Sequence, residues 1–439
     1  MPRAYTFDGV GQTKDIGSWQ LWWDLKKDLY LQLDTINALG TRTVDGEFYL
    51  GHGQQLMKAR GGRATNQEVR TEVLPALYEA ISKGGIEQFS IRAMLSIAKS
   101  SRGIGASTAE FLFRNFLPKP YIAEDRAAAL SLGILERDQA YSALYDLCMD
   151  TTEGREINGR QNVDHETRSF AVYGLGLLGG SSSDPGLREQ IVKDLVHILE
   201  QKKSHDDLKT AAMISLGLIP MQSDESVINC VCGECAIDAP QTSLQAQLTY
   251  LTRFLSDEAK SNSELRSHTA TTLGRLMNQQ DENEVFDEKT DIAEYLIKIL
   301  DGSRRAPQKV RESCVLALGL IGDADNDEID QLIRFTLERA VHGSYLERRF
   351  AFVSLGQVGS RPGSGEEPYG ATNQARNFLN CQALVGQRYR SSRQVTPARW
   401  HGSARVFPSM AIALLFRGVA QSMSMRRPSE FGPRTHNCS

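Results

Sequence analysis

No apolar run in this chain of 439 residues approaches the length of roughly 18 that a bilayer-spanning helix needs. The N-terminal stretch, MPRAYTFDGVGQTKD, has no apolar core of the kind a secretory leader carries. If this start is complete, a cytoplasmic location is expected. Cysteine is sparse and odd in number, seven at positions 148, 230, 232, 235, 314, 381 and 438. That pattern does not resemble a disulfide framework, and a reducing compartment is the expectation. Signatures of familiar chemistries are missing too: GxSxG, HExxH, a dinucleotide fingerprint and a complete phosphate loop. GVGQTK at 9–14 echoes such a loop but lacks its spacing and a preceding strand. His52, between two glycines, has no visible acid, base or second ligand and reads as a loop histidine. No catalytic residue and no cofactor is expected, and the chain is read as a non-enzyme.

The charge is present but uneven. Overall the formal net charge is −4, from 50 basic and 54 acidic residues. Beyond Gly370 lie ten arginines, no lysine and one acid, Glu430, so subtraction leaves 40 basic and 53 acidic residues in 1–370, a net charge of −13. An acidic body disfavours nucleic acid, except through the arginine-rich tail, and favours basic protein partners.

What is abundant is self-similarity. In KVRESCVLALGLIG (309–322), Val310, Cys314, Ala317, Leu318 and Ile321 fall on one face of a helix. Relatives of it recur at 125–135, 165–179, 206–220, 263–277 and 344–359, each with a Leu-Gly pair near its end. The shared glycines are Gly133, Gly176, Gly217, Gly274, Gly319 and Gly356. A glycine inside a helix costs about 0.5–1 kcal/mol relative to alanine. Its return at one register therefore implies that backbone there approaches a neighbouring helix too closely for a Cβ. Eight residues before that glycine stands a cation in five copies: Arg168, Lys209, Arg266, Arg311 and Arg348. These five either solvate or bond a turn at the helix start, or line one binding stripe. They are the candidate binding residues.

These segments resemble the second helix of HEAT repeats, particularly the HEAT-like units of bilin (phycobilisome) lyases, over roughly residues 66 to 380. The resemblance implies an all-α fold, a right-handed α-solenoid of about seven antiparallel helix pairs. It also implies a non-catalytic scaffold or adaptor that binds other proteins or peptides. The alternative it implies is a lyase-like protein that handles a tetrapyrrole.

The remaining segments are read around that array. Residues 1–65 carry three tryptophans at 19, 22 and 23 on a helix-competent stretch and are expected to cap the first repeat. The repeats span 66–358. First helices are expected at 66–84, 107–117, 140–149, 184–201, 291–300 and 327–340, with Ser183 or Asp184 capping the one at 184. The longest spacing between glycines holds an insertion with Cys230, Cys232 and Cys235, a C-x-C-x2-C pattern. It lacks an evident fourth metal ligand; His205 and His268 are near only in sequence. No bound metal is expected, and small apolar packing or a redox-sensitive thiol cluster is the plainer reading. Residues 359–386 read as a linker and the start of a further repeat. From 387 to 439 the register, lysine and nearly all acids vanish together, as in a disordered tail or an out-of-frame translation.

Overall fold

A computed structural model describes residues 65–360, apart from 83–86, 102–109, 111–112, 115, 118–121, 225–238, 258–261, 281–285, 303–305 and 324–327. The tryptophan-bearing segment, His52, GVGQTK, the three clustered cysteines and the arginine-rich tail lie outside the described residues. Among the described residues every regular element is helical. In chain order the principal helices are α1 (Leu74–Ser82), α2 (Glu87–Ser100), α3 (Ile122–Ile134), α4 (Tyr141–Met149), α5 (Thr152–Asn158), α6 (His165–Ser181) and α7 (Pro185–Glu200). There follow α8 (Asp206–Leu216), α9 (Leu244–Ser256), α10 (Ser263–Met277), α11 (Phe286–Asp301), α12 (Gln308–Ile321), α13 (Glu328–Ala340) and α14 (Tyr345–Ser360). No helix of the described residues is long and apolar enough to cross a membrane.

The chain divides into two compact units, Met1–Leu135 with Asp146–Ala171, and Glu136–Tyr145 with Val172–Ser439. In the first, Thr65 and Glu68 form a reciprocal capping box, as the sequence TNQE allows. The helix then widens into a π-helical turn at Val69–Val73 just before Pro75. Proline has no N–H to donate to the carbonyl four residues back, and the wider turn accommodates that loss. Helix α1 packs on α2, and α2 on α3. The short α5, absent from the sequence reading, starts on a Thr151 cap and ends at Gly159, whose φ of 66° is the left-handed stop.

In the second unit, first and second helices pair as α7 with α8, α9 with α10, α11 with α12 and α13 with α14. The second helices pack in succession, α8 on α10, α10 on α12 and α12 on α14. Helix α9, which the sequence reading did not assign, is the first helix of its pair. Its buried Gln247 donates to the carbonyls of Leu216 and Ile219 and accepts from the Met221 amide, closing the end of α8. At α7, Asp184 is the cap: its Oδ1 accepts from the Gly186 amide at 2.9 Å, with Pro185 opening the helix.

One joint repeats along the second helices. A Cβ on Gly176 would lie 2.5 Å from Ser215 Cβ, and one on Gly274 would lie 2.8 Å from Ala317 Cα. Gly217 meets Thr272, and Gly319 meets Ser354, in the same way. The facing residue stands two positions before its own glycine, and where it carries a hydroxyl it also bonds. Ser215 Oγ donates to Val172 O (3.0 Å), Thr272 Oγ1 to Met213 O (2.9 Å) and Ser354 Oγ to Val315 O (2.9 Å). The leucines before the glycines, at 175, 216, 273, 318 and 355, are fully buried. The glycine register is thus a close backbone approach, and it holds successive second helices at one height.

Candidate functional site

The five cations occupy one sequence register but do different things. Arg168 Nε donates to Cys148 O at 2.8 Å, and Arg266 Nε to Leu255 O at 2.8 Å. Each acceptor lies near the end of a helix earlier in the chain, α4 or α9, where carbonyls have no partner within the helix. Arg311 Nε donates to Glu347 Oε1 at 2.7 Å. Burial works against charge on Glu347, but hydrogen bonds from the Ser344 amide and Arg311 outweigh it and hold the carboxyl below its usual range. Arg348 is half-buried, and its Nε has no hydrogen-bond partner. Lys209 is half-buried, and its ammonium has no bond or ion pair to a described residue. Three of the five therefore spend their Nε on the fold.

Two buried ionic clusters went unnoticed in the sequence, because their members are far apart along the chain. In the first unit Asp125 is fully buried, 2.7 Å from Arg160 Nη2. Burial pushes its carboxyl up to about 7 against the pull of Arg160, and the charges of Asp164 and Glu124 add to the rise. Arg126 pairs with Glu166 and lies 3.5 Å from Asp164, which caps Thr167. In the second unit Lys289 Nζ lies 2.8 Å from Asp323 Oδ2 and 3.0 Å from Asp330 Oδ2, all three groups buried. The Asp323 amide donates to Asp330 Oδ1 at 2.9 Å. This triad ties the first turn of α11 to the first turn of α13. Burial opposes charge on Lys289, yet the two carboxylates keep its pKa above the usual lysine value. Burial and the charge of Asp323 push Asp330 upward.

A third feature runs along the second helices of the second unit. Residues six and three before the glycine, and the one after it, fall on one line along each helix on the side away from the buried leucine; on α8 Ala211 and Ile214 at these places are buried, and on α12 so is Leu320. Tyr173 and Leu177 on α6, Leu218 after α8, Leu316 on α12, and Phe350 and Val353 on α14 lie on it and are half-buried. On α10 the line turns polar: His268, Thr271 and Arg275. Burial pushes His268 down to about 4; the Glu264 charge resists, while those of Arg275 and Lys309 assist. His268 is thus a neutral imidazole at pH 7. Burial also raises the Tyr173 phenol, with Arg275 opposing and Asp207 adding to the rise.

The first helices look different. The outward residues of α11, Asp287, Asp291, Glu294 and Lys298, are exposed and charged. Helix α13 departs from this with exposed Leu332 and Phe335, the latter's ring 5.9 Å from the Arg339 guanidinium carbon. Of the histidines weighed as metal ligands, His205 caps α8, accepting from the Asp207 amide at 3.3 Å, and His268 sits on the outward line. Cys230, Cys232 and Cys235 lie outside the described residues, whereas Cys148 and Cys314 are buried free thiols. The outward line was readable in principle: counting from each glycine to the positions opposite the buried leucine would have found it.

No protein-family model matches the chain, and no curated protein matches it.

Proposed function

We propose that this chain is a non-catalytic interaction scaffold: a right-handed, HEAT-like solenoid of stacked helix pairs whose second helices hold a protein or peptide segment. One observation carries the reading, the contrast between the two outward faces of the same repeats. Helix faces turned to water are ordinarily polar, and α11 obeys that rule, although α13 exposes Leu332 and Phe335. The second helices instead present Tyr173, Leu177, Leu218, Leu316 and Val353 in one register. Apolar side chains left half-exposed in one register on successive helices offer a partner a place to make contact. The repeated glycine joint supports the stacking part of the reading, because it brings successive second helices together at matching heights.

The partner surface is placed on this line rather than on the cation register. Arg168, Arg266 and Arg311 serve stacking and helix ends, which leaves Lys209 as the member best able to meet a partner, and Arg348 as a half-buried second. The test is selection from a library of displayed random peptides on the full chain at moderate salt. Peptides should enrich, and Leu316→Glu, a charge placed in the middle of the line, should abolish their binding without loss of helical signal. Failure to enrich any peptide, or binding indifferent to Leu316→Glu, would overturn the proposal.

A further inference from the structure

The outward side of α11 and α13 carries two features that the second-helix line does not use. Three large apolar side chains are exposed among the described residues, Leu332, Phe335 and Leu346. The first two stand one helical turn apart on α13, and Phe335 is 57% exposed. On α11 the exposed row sets three acids, Asp287, Asp291 and Glu294, against one cation, Lys298. None of the three carboxylates has an ion pair with a described residue. Asp291 feels the crowding: burial first, then the charges of Glu294, Asp287 and Glu288, push its carboxyl upward.

Two contacts fix how these helices lie. Lys289 Nζ, in the first turn of α11, is 3.0 Å from Asp330 Oδ2 in the first turn of α13. Asp301 Oδ1, at the end of α11, is 3.0 Å from Arg339 Nη2 in the last turn of α13. The two helices therefore run side by side in the same direction, and Asp291 and Glu294 stand level with Leu332 and Phe335. Packed helix axes lie roughly 8–10 Å apart. An apolar ridge thus has an acidic row along its flank. The arginines of α13 do not neutralise that row: Arg339 is held by Asp301 and lies over the Phe335 ring, and Arg334 lies near Glu338.

Charge and spacing select the occupant. The acids repel nucleic acid and anionic lipid surfaces. An extended peptide turns successive side chains to opposite faces, whereas a helix sets apolar residues at i, i+3, i+4 and i+7 on one stripe and can carry cations beside it. The one-turn step from Leu332 to Phe335 matches that stripe.

We infer that the α11–α13 face is a second docking surface, separate from the second-helix line, and that it takes a basic amphipathic helix of a partner protein. The helix sets large apolar side chains against Leu332 and Phe335 and turns Lys or Arg on its flank toward Asp287, Asp291 and Glu294.

The probe is a fluorescein-labelled peptide of about 18 residues, long enough to be helical alone, with leucines at i, i+3, i+4 and i+7 and arginines along one flank. A control peptide has glutamate for every arginine. Binding to the full chain is read by anisotropy at low and moderate salt. The arginine peptide should bind, and weaken as salt rises; the glutamate peptide should bind at least about tenfold more weakly. Leu332→Ser with Phe335→Ser should cost about tenfold or more, and, both positions being exposed, the helical signal should stay. Asp291→Asn with Glu294→Gln should cost about tenfold and flatten the salt dependence. No binding of the arginine peptide, equal binding of the glutamate peptide, or binding indifferent to the serine pair overturns the inference. Binding lost in Leu316→Glu but kept in the serine pair places the peptide on the second-helix line, which overturns this inference and leaves the scaffold standing. A full chain that sediments as a dimer, and as a monomer with Phe335→Ser, assigns the face to a second copy and overturns the basic-helix partner.

Discussion

Replacing Lys289 by methionine probes how the second unit is held together. Methionine keeps most of the stem volume and removes the charge, leaving Asp323 and Asp330 buried without their shared cation. Breaking a buried ion pair from one side typically costs about 3–5 kcal/mol. A second route gives a similar figure. The bereft carboxylates must take up an additional proton, and between an unfolded pKa near 3.9 and pH 7 that uptake costs about 1.4 kcal/mol per unit, or ~4 kcal/mol. The sign follows. A carboxyl whose folded pKa is raised contributes stability below its unfolded pKa and loses it as pH rises through the folded value. The deficit of Lys289→Met should therefore grow with pH, from about 1 kcal/mol near pH 4.5 to about 4 kcal/mol at pH 7. Urea denaturation followed by circular dichroism at both values measures it. Adding Asp330→Asn should restore about half of the pH 7 loss, since one of the two acids is then neutral. A loss at pH 7 below about 1 kcal/mol, or one that does not shrink in acid, would refute the argument that the triad is an ionic tie.

Two further outcomes test the packing and the first unit. Gly319→Ala should destabilise by about 1–3 kcal/mol even though alanine is the better helix former, because the new Cβ meets Ser354 Cβ and Cα. Ser354→Gly in that background should recover more than it costs alone, and additive denaturation energies would show that the two residues do not touch. Asp125, pushed up to about 7, is destabilising when charged. Asp125→Asn should thus gain ~1–3 kcal/mol at about pH 8 and nothing near pH 4, read by thermal melts. A variant less stable at both pH values would mean that the Arg160 ion pair outweighs the burial.

How much was legible depends on how local the signal is. The helices of the repeats are written in a period that neighbouring residues enforce, so 309–322 or 263–277 can be recognised without partners. The glycine register also announced itself, because a costly residue kept at one place needs a close approach to explain it. Helix α9 was missed because its run LQAQLTYLTRFLS lacks the Leu-Gly mark. The short α5 depends on a turn at Gly159 that no periodicity signals.

The cation register shows where a sequence pattern stops being informative. Equal spacing from the glycine says that five side chains leave their helices in the same direction, not what each one finds there. Arg168 and Arg266 find a helix end, Arg311 finds Glu347, and Lys209 finds no described partner. The triad of Lys289, Asp323 and Asp330 was invisible for the complementary reason. It is defined by atoms brought together from separate repeats.

Sequence alone determined that this is a repeating helical chain, which residues of 309–322 are buried, and where backbones must meet, because those properties follow from period and from the lack of a Cβ. Tertiary structure decided which charges are spent and which are left over. Solvation and pairing depend on neighbours across the stack, and the chain order does not contain them.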